Sequence, residues 1–225
     1  YLVLACGSQH SYFGHDEWED FAPGLKTLEQ ATEIRRRVLL AFEHAEKETN
    51  PEIQKKLLTF VIIGAGPTGV EIAGAISEIS RFTLERDFRH IDPSRTRIIL
   101  IEAGKRILAG FAEDLSKKAE RDLEKMGVQI WTNTRVTKVE EGTVSLGDER
   151  IAAQTVIWAA GVKPAALNAK LDVRKDAAGR IEVRKDLAIP QYPNVFVVGD
   201  QAHFEQDGKA LPGLAPVAMQ QGRQA

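Results

Sequence analysis

A single cysteine, Cys6, leaves no partner for an internal disulfide and no CxxC pair for dithiol redox chemistry. A lone thiol fits a reducing compartment. No apolar run reaches the ~18 residues that a membrane-spanning helix needs, and no secretory leader is recognisable. The net charge of −2 removes the electrostatic case for binding nucleic acid. The five histidines (His10, His15, His44, His90 and His203) show no ligand spacing, so no metal site is expected. There is no internal repeat and no low-complexity segment. What remains is ordinary globular composition: 225 residues at 43% hydrophobic, enough for one large domain or two small ones with a real core.

Against that plain background one stretch stands out, Phe60 to Gly74, which reads FVIIGAGPTGVEIAG. An apolar run ends in Gly64-Ala65-Gly66-Pro67-Thr68-Gly69, and a helical pattern starts at once. This is GxGxxG with a strand before it and a helix after it, the context in which the motif binds dinucleotides. Gly64 permits the tight turn, Gly66 lets the backbone approach a pyrophosphate, and Gly69 lets the helix pack close to the strand. The helix start offers unpaired N–H groups and a positive dipole end to an anion. Pro67 suits a first-turn position, where a missing N–H costs nothing. The competing reading is a glycine-rich turn that binds no ligand.

A second apolar strand, Arg97 to Ile101, ends in Glu102. A carboxylate there can accept hydrogen bonds from the adenosine ribose hydroxyls and would repel a 2′-phosphate, which favours NAD(H) over NADP(H). The alternative is a solvated acid at a strand end. Glu102 comes later than the usual ~20 residues because Arg81 to Thr96 reads as an insertion. Lys105 and Arg106 follow closely and would soften the selectivity against a 2′-phosphate.

The rest of the chain organises around these elements. Tyr1 to Gly7 reads as a short strand, His10 to Gly24 as an aromatic, turn-rich loop, and Leu25 to Lys47 as one amphipathic helix that Asn50-Pro51 breaks or restarts. Glu113 to Lys125 is a helix with acids early and a lysine late, ended by Gly127. Val128–Thr132, Arg135–Glu140 and Thr143–Leu146 read as strands, the last two joined at Glu141-Gly142. Thr155 to Ala160 is a buried strand running into Gly161. The expectation is an α/β chain whose centre is a Rossmann-like parallel sheet with a small antiparallel insert. After Pro164 the texture changes, with an edge-like strand at Arg180–Val183, a buried strand at Val195–Val198 and a helix from Pro216. The runs Arg35-Arg36-Arg37 and Lys117-Lys118 read as solvated helix faces.

Val195 to Asp200 has the form of a second cofactor element. An aspartate after a glycine at a strand end can bond a ribitol or ribose hydroxyl, although Gly-Asp is also common turn chemistry. At this point the chain resembles the pyridine nucleotide–disulfide oxidoreductase superfamily, and within it the type II NADH dehydrogenases. The segments that carry the resemblance are Ser11 to His15 (SYFGH), Ala22 to Lys26 (APGLK), Ala41-Phe42-Glu43, Gly64 to Ala73 (GAGPTGVEIA), Trp158 to Val162 (WAAGV), Val197 to Asp200 (VVGD) and Ala215 to Gly222 (APVAMQQG).

That resemblance implies a flavoprotein that passes a hydride from NADH to FAD and electrons on to a quinone. For NAD(H) it implies Gly64, Gly66, Pro67, Thr68 and Gly69 at the pyrophosphate, Glu102 at the ribose, and Ala160 and Gly161 at the nicotinamide end. For FAD it implies Gly7, Gly199 and Asp200, with the helix residues Pro216, Val217 and Ala218 at the flavin pyrimidine edge. Glu71 resembles a family acid near the nicotinamide and quinone, or is a first-turn acid favoured by the helix dipole. Gln220 and Gln221 resemble polar residues bordering the flavin and quinone, or are ordinary helix surface.

Three segments follow from this reading: 1–56, part of a second, FAD-binding Rossmann-like domain with a connecting helix; 57–164, the NAD(H)-binding domain; and 165–225, the remainder of the FAD-binding domain. Where the family has Ala-Thr-Gly this chain has Ala5-Cys6-Gly7, a tolerable exchange of small residues. GxGxxG occurs once. The FAD pyrophosphate motif is expected before Tyr1 and a membrane anchor after Ala225, so the chain reads as a piece of a longer protein with an incomplete FAD site that holds FAD weakly or not at all. The parent would sit peripherally at the cytoplasmic face of the inner membrane through the missing C-terminal segment, and the piece itself would be soluble and cytoplasmic. A second copy of the chain is a candidate partner. Two other readings stay open, a related flavin reductase with a protein or other acceptor and a nucleotide-binding module without turnover.

Overall fold

The computed structural model describes all 225 residues. They divide into two compact units, residues 12–161 and residues 1–11 with 162–225.

The larger unit is built on a four-stranded parallel sheet in the order Val128–Trp131, Arg97–Ile101, Thr59–Ile63, Thr155–Trp158. Its central strand, TFVII, is buried at every position, as a parallel strand covered on both faces must be. The alternation of side chains then sorts the core. Phe60, Ile62, Ile98, Leu100 and Ile157 point to one face and pack against the helices Leu28–Lys47, Pro67–Glu78 and Glu113–Lys125. Val61, Ile63, Ile99, Ile101 and Trp158 point to the other, against a three-stranded antiparallel sheet. That sheet comprises Lys138–Glu140, Thr143–Leu146 and Glu149–Ala152. The unit is therefore three layers deep, helices over parallel sheet over antiparallel sheet.

Side chains cap the first two helices. Thr27 and Gln30 form a reciprocal capping box that starts the long helix at Leu28, three residues later than the periodicity predicts. Asn50 caps the next helix, with Pro51 in its first turn. The insertion 81–96 opens on a π-helical turn, Ile79–Thr83, and closes on a 3₁₀ turn, Pro93–Arg95. The segment 132–137, part of which reads as strand in the sequence, is irregular.

The smaller unit is held by a parallel pair, Leu2–Leu4 with Tyr192–Val197, extended by Ala188–Ile189. Ser8–His10 pairs with Val162–Pro164, and the edge-like strand at Ile181–Glu182 pairs with Ala202–His203. Its core is small: Leu4, Ile181, Ile189, Val197 and Ala202. The last helix runs from Ala215 to Gln224. No helix in either unit is long and apolar enough to cross a membrane.

One carboxylate fastens the insertion to the long helix. Glu46 accepts hydrogen bonds from the backbone N–H groups of Arg89, His90 and Ile91, at 3.0, 2.9 and 3.2 Å, and lies 2.9 Å from the His90 ring. Desolvation pushes its pKa up, but these donors outweigh it and hold the group at about 2, below its ordinary value of 4.5. A depressed native pKa stabilises the fold above the unfolded pKa and ceases to do so as pH falls through the native one. Glu46→Ala is therefore expected to lower the melting temperature near pH 7, and the gap from wild type should close between pH 4.5 and 2 in thermal melts.

Candidate functional site

In the larger unit the strand order reverses beside Thr59–Ile63: two strands lie to one side of it and Thr155–Trp158 to the other. Open α/β sheets bind ligands at the carboxyl ends of their strands at such a point. The glycine turn sits there. Gly64 has φ +100°, and its N–H donates to the Ile101 carbonyl at 2.7 Å. A Cβ on Gly64 would lie 2.6 Å from the backbone of Ala160, and one on Gly69 only 1.9 Å from the Gly64 carbonyl oxygen. Both positions are closed to any side chain. Gly66 differs: its φ is −72° and nothing lies within 4 Å of where its Cβ would be. The space that the fold leaves over Gly66 is not needed by the protein itself.

Gly66 is also the residue from which the helix Pro67–Glu78 starts, and no side chain caps it. The first-turn N–H groups of Thr68 and Gly69 have no intrahelical acceptor. With the positive end of the dipole they form a helix start suited to an anion, beside the open space over Gly66. Pro67 stands at the first turn, as expected.

Glu102 follows Ile101 directly and does more than stand at a strand end. Its Oε2 accepts from the Ala65 N–H at 2.9 Å and its Oε1 from the Gly104 N–H at 2.7 Å. It thus ties the glycine turn to the next loop, and an ionised carboxylate still has lone pairs for ribose hydroxyls. Arg106 donates to the carbonyls of Leu108, Ala109 and Phe111 and so is committed away from Glu102. Lys105 is exposed and lies outside the cavity. The cation that lines it is Arg135, from the irregular segment 132–137.

The cavity holds about 570 Å³, and Gly64, Gly66, Glu102, Arg135, Ala160 and Gly161 border it. Gly161 has φ +68°, and a Cβ there would meet the Phe13 ring at 2.4 Å. The wall is aromatic. Trp158 packs with Tyr12 (ring centroids 4.9 Å apart), Trp18 (5.7 Å) and Phe13 (6.1 Å), and His15 stacks on Trp18 at 4.2 Å. Phe13 is 68% exposed and holds φ +54°, a rare conformation for a bulky residue. The Tyr12 hydroxyl donates to the Ala22 carbonyl, and burial pushes its pKa up. Arg37 fixes the far end of this segment, bonding Glu33 and the carbonyls of Asp20 and Phe21. Glu71 is exposed on the helix and does not border the cavity.

The smaller unit carries its own cleft of about 180 Å³, bordered among others by Ser8, Gly199, Asp200, Gly213, Val217 and Gln221. The Ser8 hydroxyl donates to Asp200 at 2.6 Å. Gly199 has φ +72°, and its missing Cβ admits Ala218. Gln221 is buried and accepts from the Gly199 N–H at 2.7 Å, so it fastens the helix to the Gly-Asp turn. Gln220, one residue earlier, and Pro216 are exposed. Gly7 has φ +66°, and its carbonyl accepts from Ala165.

This is the architecture of a dinucleotide-binding α/β domain joined to a second, smaller unit. The chain belongs to the pyridine nucleotide-disulphide oxidoreductase family, whose sequence profile matches residues 1–222. It is 43% identical to the type II NADH:quinone oxidoreductase Ndh of Mycobacterium tuberculosis, over 97% of this chain and 48% of that protein. It is 35% identical to the internal alternative NAD(P)H-ubiquinone oxidoreductase A1, mitochondrial, of Arabidopsis thaliana, over 99% of this chain and 44% of that protein. The structure of NDH2 from Plasmodium falciparum in complex with NADH superposes with a TM-score of 0.80 at 22% identity, covering 90% of this chain and 44% of that one. The chain thus spans about half the length of the curated relatives it matches.

The three glycines make distinguishable demands. Gly69→Ala drives a methyl into a backbone carbonyl and is expected to destabilise the fold by about 2 kcal/mol or more. Gly66→Ala meets open space and should leave the melting temperature near that of wild type while weakening NADH binding. Chemical denaturation of both variants, with an NADH titration of Gly66→Ala, checks the pair.

Proposed function

We propose that this chain is the NAD(H)-binding part, with a portion of the FAD-binding part, of a type II NADH:quinone oxidoreductase. The observation that carries the reading is the glycine turn, closed at Gly64 and Gly69 but open over Gly66, with Glu102 bonded to its backbone. The 43% identity to a type II enzyme over nearly all of this chain supports it.

In this reading the N–H groups of Gly66, Thr68 and Gly69 bind the NADH pyrophosphate, and Glu102 accepts from the adenosine ribose. The donor set fits that ligand, because it offers unpaired N–H groups for a dianion and a carboxylate for a diol. Ala160 and Gly161 border the nicotinamide end, where the aromatic wall of Phe13 and Trp158 limits water. For FAD, Asp200 takes a ribitol hydroxyl, flanked by Gly7 and Gly199. The uncapped start of the helix at Pro216, Val217 and Ala218 favours negative charge at the flavin pyrimidine edge. NADH and FAD supply the hydride chemistry; the protein supplies orientation and electrostatics. Glu71 and Gln220 are assigned to the nicotinamide and quinone side on resemblance alone. The whole protein would work at a membrane surface, where a lipid-soluble quinone resides.

A calorimetric titration of the chain with NADH and NADPH tests this. Saturable NADH binding is expected, with NADPH about tenfold weaker or worse because Glu102 repels a 2′-phosphate. Gly66→Val should abolish it, and Glu102→Arg should reverse or erase the preference. Equal affinity for both nucleotides, or none for either, contradicts the reading.

A further inference from the structure

The opposite end of the parallel sheet carries a second cleft. It lies at the amino ends of the strands that start at Thr59, Arg97 and Val128, away from the glycine turn, and holds about 650 Å³. Four cations border it, Lys55, Arg81, Arg95 and Arg97, with one acid, Asp92. Asp92 is already engaged, accepting from Ser94 and lying 3.3 Å from Arg95. His90 at the rim faces Glu46.

Of the four cations only Arg95 has an acidic partner, Asp92. Arg97 donates through Nε to Gln129 at 3.2 Å and lays its guanidinium over the Trp131 ring at 5.6 Å, leaving its terminal nitrogens open. Lys55 is exposed and makes no ion pair. Arg81 is the sharpest case. Its guanidinium lies so close over Gly127 that a Cβ there would sit 2.1 Å from Nη2, yet its buried Nε has no hydrogen-bond partner. An unpaired buried donor of a charged group is costly and calls for an acceptor. Arginine forks match phosphate oxygens, and a cleft of this size exceeds what a single inorganic ion fills.

We propose that this cleft, built on Arg81 and Arg97 at the amino ends of the sheet, is a second anion site that takes a soluble phosphorylated small molecule of nucleotide size. It is separate from the glycine turn and does not depend on the assignment of that turn. Phosphate oxygens accept from Arg81 and Arg97, and Lys55 adds a mobile positive charge at the mouth.

The test is a calorimetric titration with ATP of the chain presaturated with NADH, alongside Gly66→Val without NADH, so that the glycine turn is blocked in both. The Trp131 indole N–H, read by NMR, reports occupancy beneath Arg97. Saturable binding that shifts this resonance, weakens with added salt and falls about tenfold in Arg97→Gln and Arg81→Met supports the site. If Arg81→Met fails to fold, Arg97→Gln and Lys55→Gln, at less enclosed positions, decide the matter. ATP binding that persists unchanged in the arginine variants, or no binding at all, overturns it. So does association only with vesicles of phosphatidylglycerol, scored by sedimentation, because the ligand would then be a lipid headgroup and not a soluble phosphate.

Discussion

Among the glycines of the larger unit, Gly69 has the least room, where a helix meets a turn. At Gly69 the helix backbone comes so near the Gly64 carbonyl that no methyl group fits between them. That contact sets where the helix Pro67–Glu78 starts and points its free N–H groups into the space over Gly66. Gly64 in turn touches Ala160 across the sheet, so three strand ends are drawn together at one place. Glu102 completes the junction by bonding the turn on one side and the Gly104 loop on the other. A carboxylate that braces the loop it helps form has little freedom to move.

The layers behind the junction explain its rigidity. Alternate residues of each parallel strand feed two separate cores, one against helices and one against the antiparallel sheet and the aromatic segment. The second core also takes in residues from the aromatic segment 12–22. Tyr12, Trp18 and Ala22 are buried against Trp158, and Arg37 anchors the end of the segment. The wall of the cavity is therefore also the wall of the core, and mutations in Trp158 should disturb both.

How much of this was legible in the sequence depends on the range of the interactions. The glycine turn, Glu102 and the helix Glu113–Lys125 were readable because local patterns specify them: a strand, a tight turn, an amphipathic repeat with acids early and a lysine late. The insertion 81–96 was readable as the reason Glu102 comes late. What could not be read were contacts between distant segments. Nothing near Phe13 indicates that it lies on Gly161, 148 positions away along the chain. Arg135 looked like a strand residue, and only the fold turns it toward the cavity in place of Arg106, which the carbonyls of its own loop capture. The strand Glu149–Ala152 escaped notice because four residues with a single buried position carry little alternation. Gln221 reads either as a residue bordering the flavin and quinone or as helix surface, whereas burial and the Gly199 N–H make it a clasp within its own unit.

The account turns on the open space over Gly66 receiving a dinucleotide pyrophosphate. The most direct measurement is the set of amide resonances of Gly66, Thr68 and Gly69 in ¹⁵N-labelled protein during addition of NADH. The account requires these three to move together, as N–H groups that acquire a charged acceptor, with saturation at one equivalent. NADH-induced shifts confined to other parts of the chain, with these three unmoved, would contradict it.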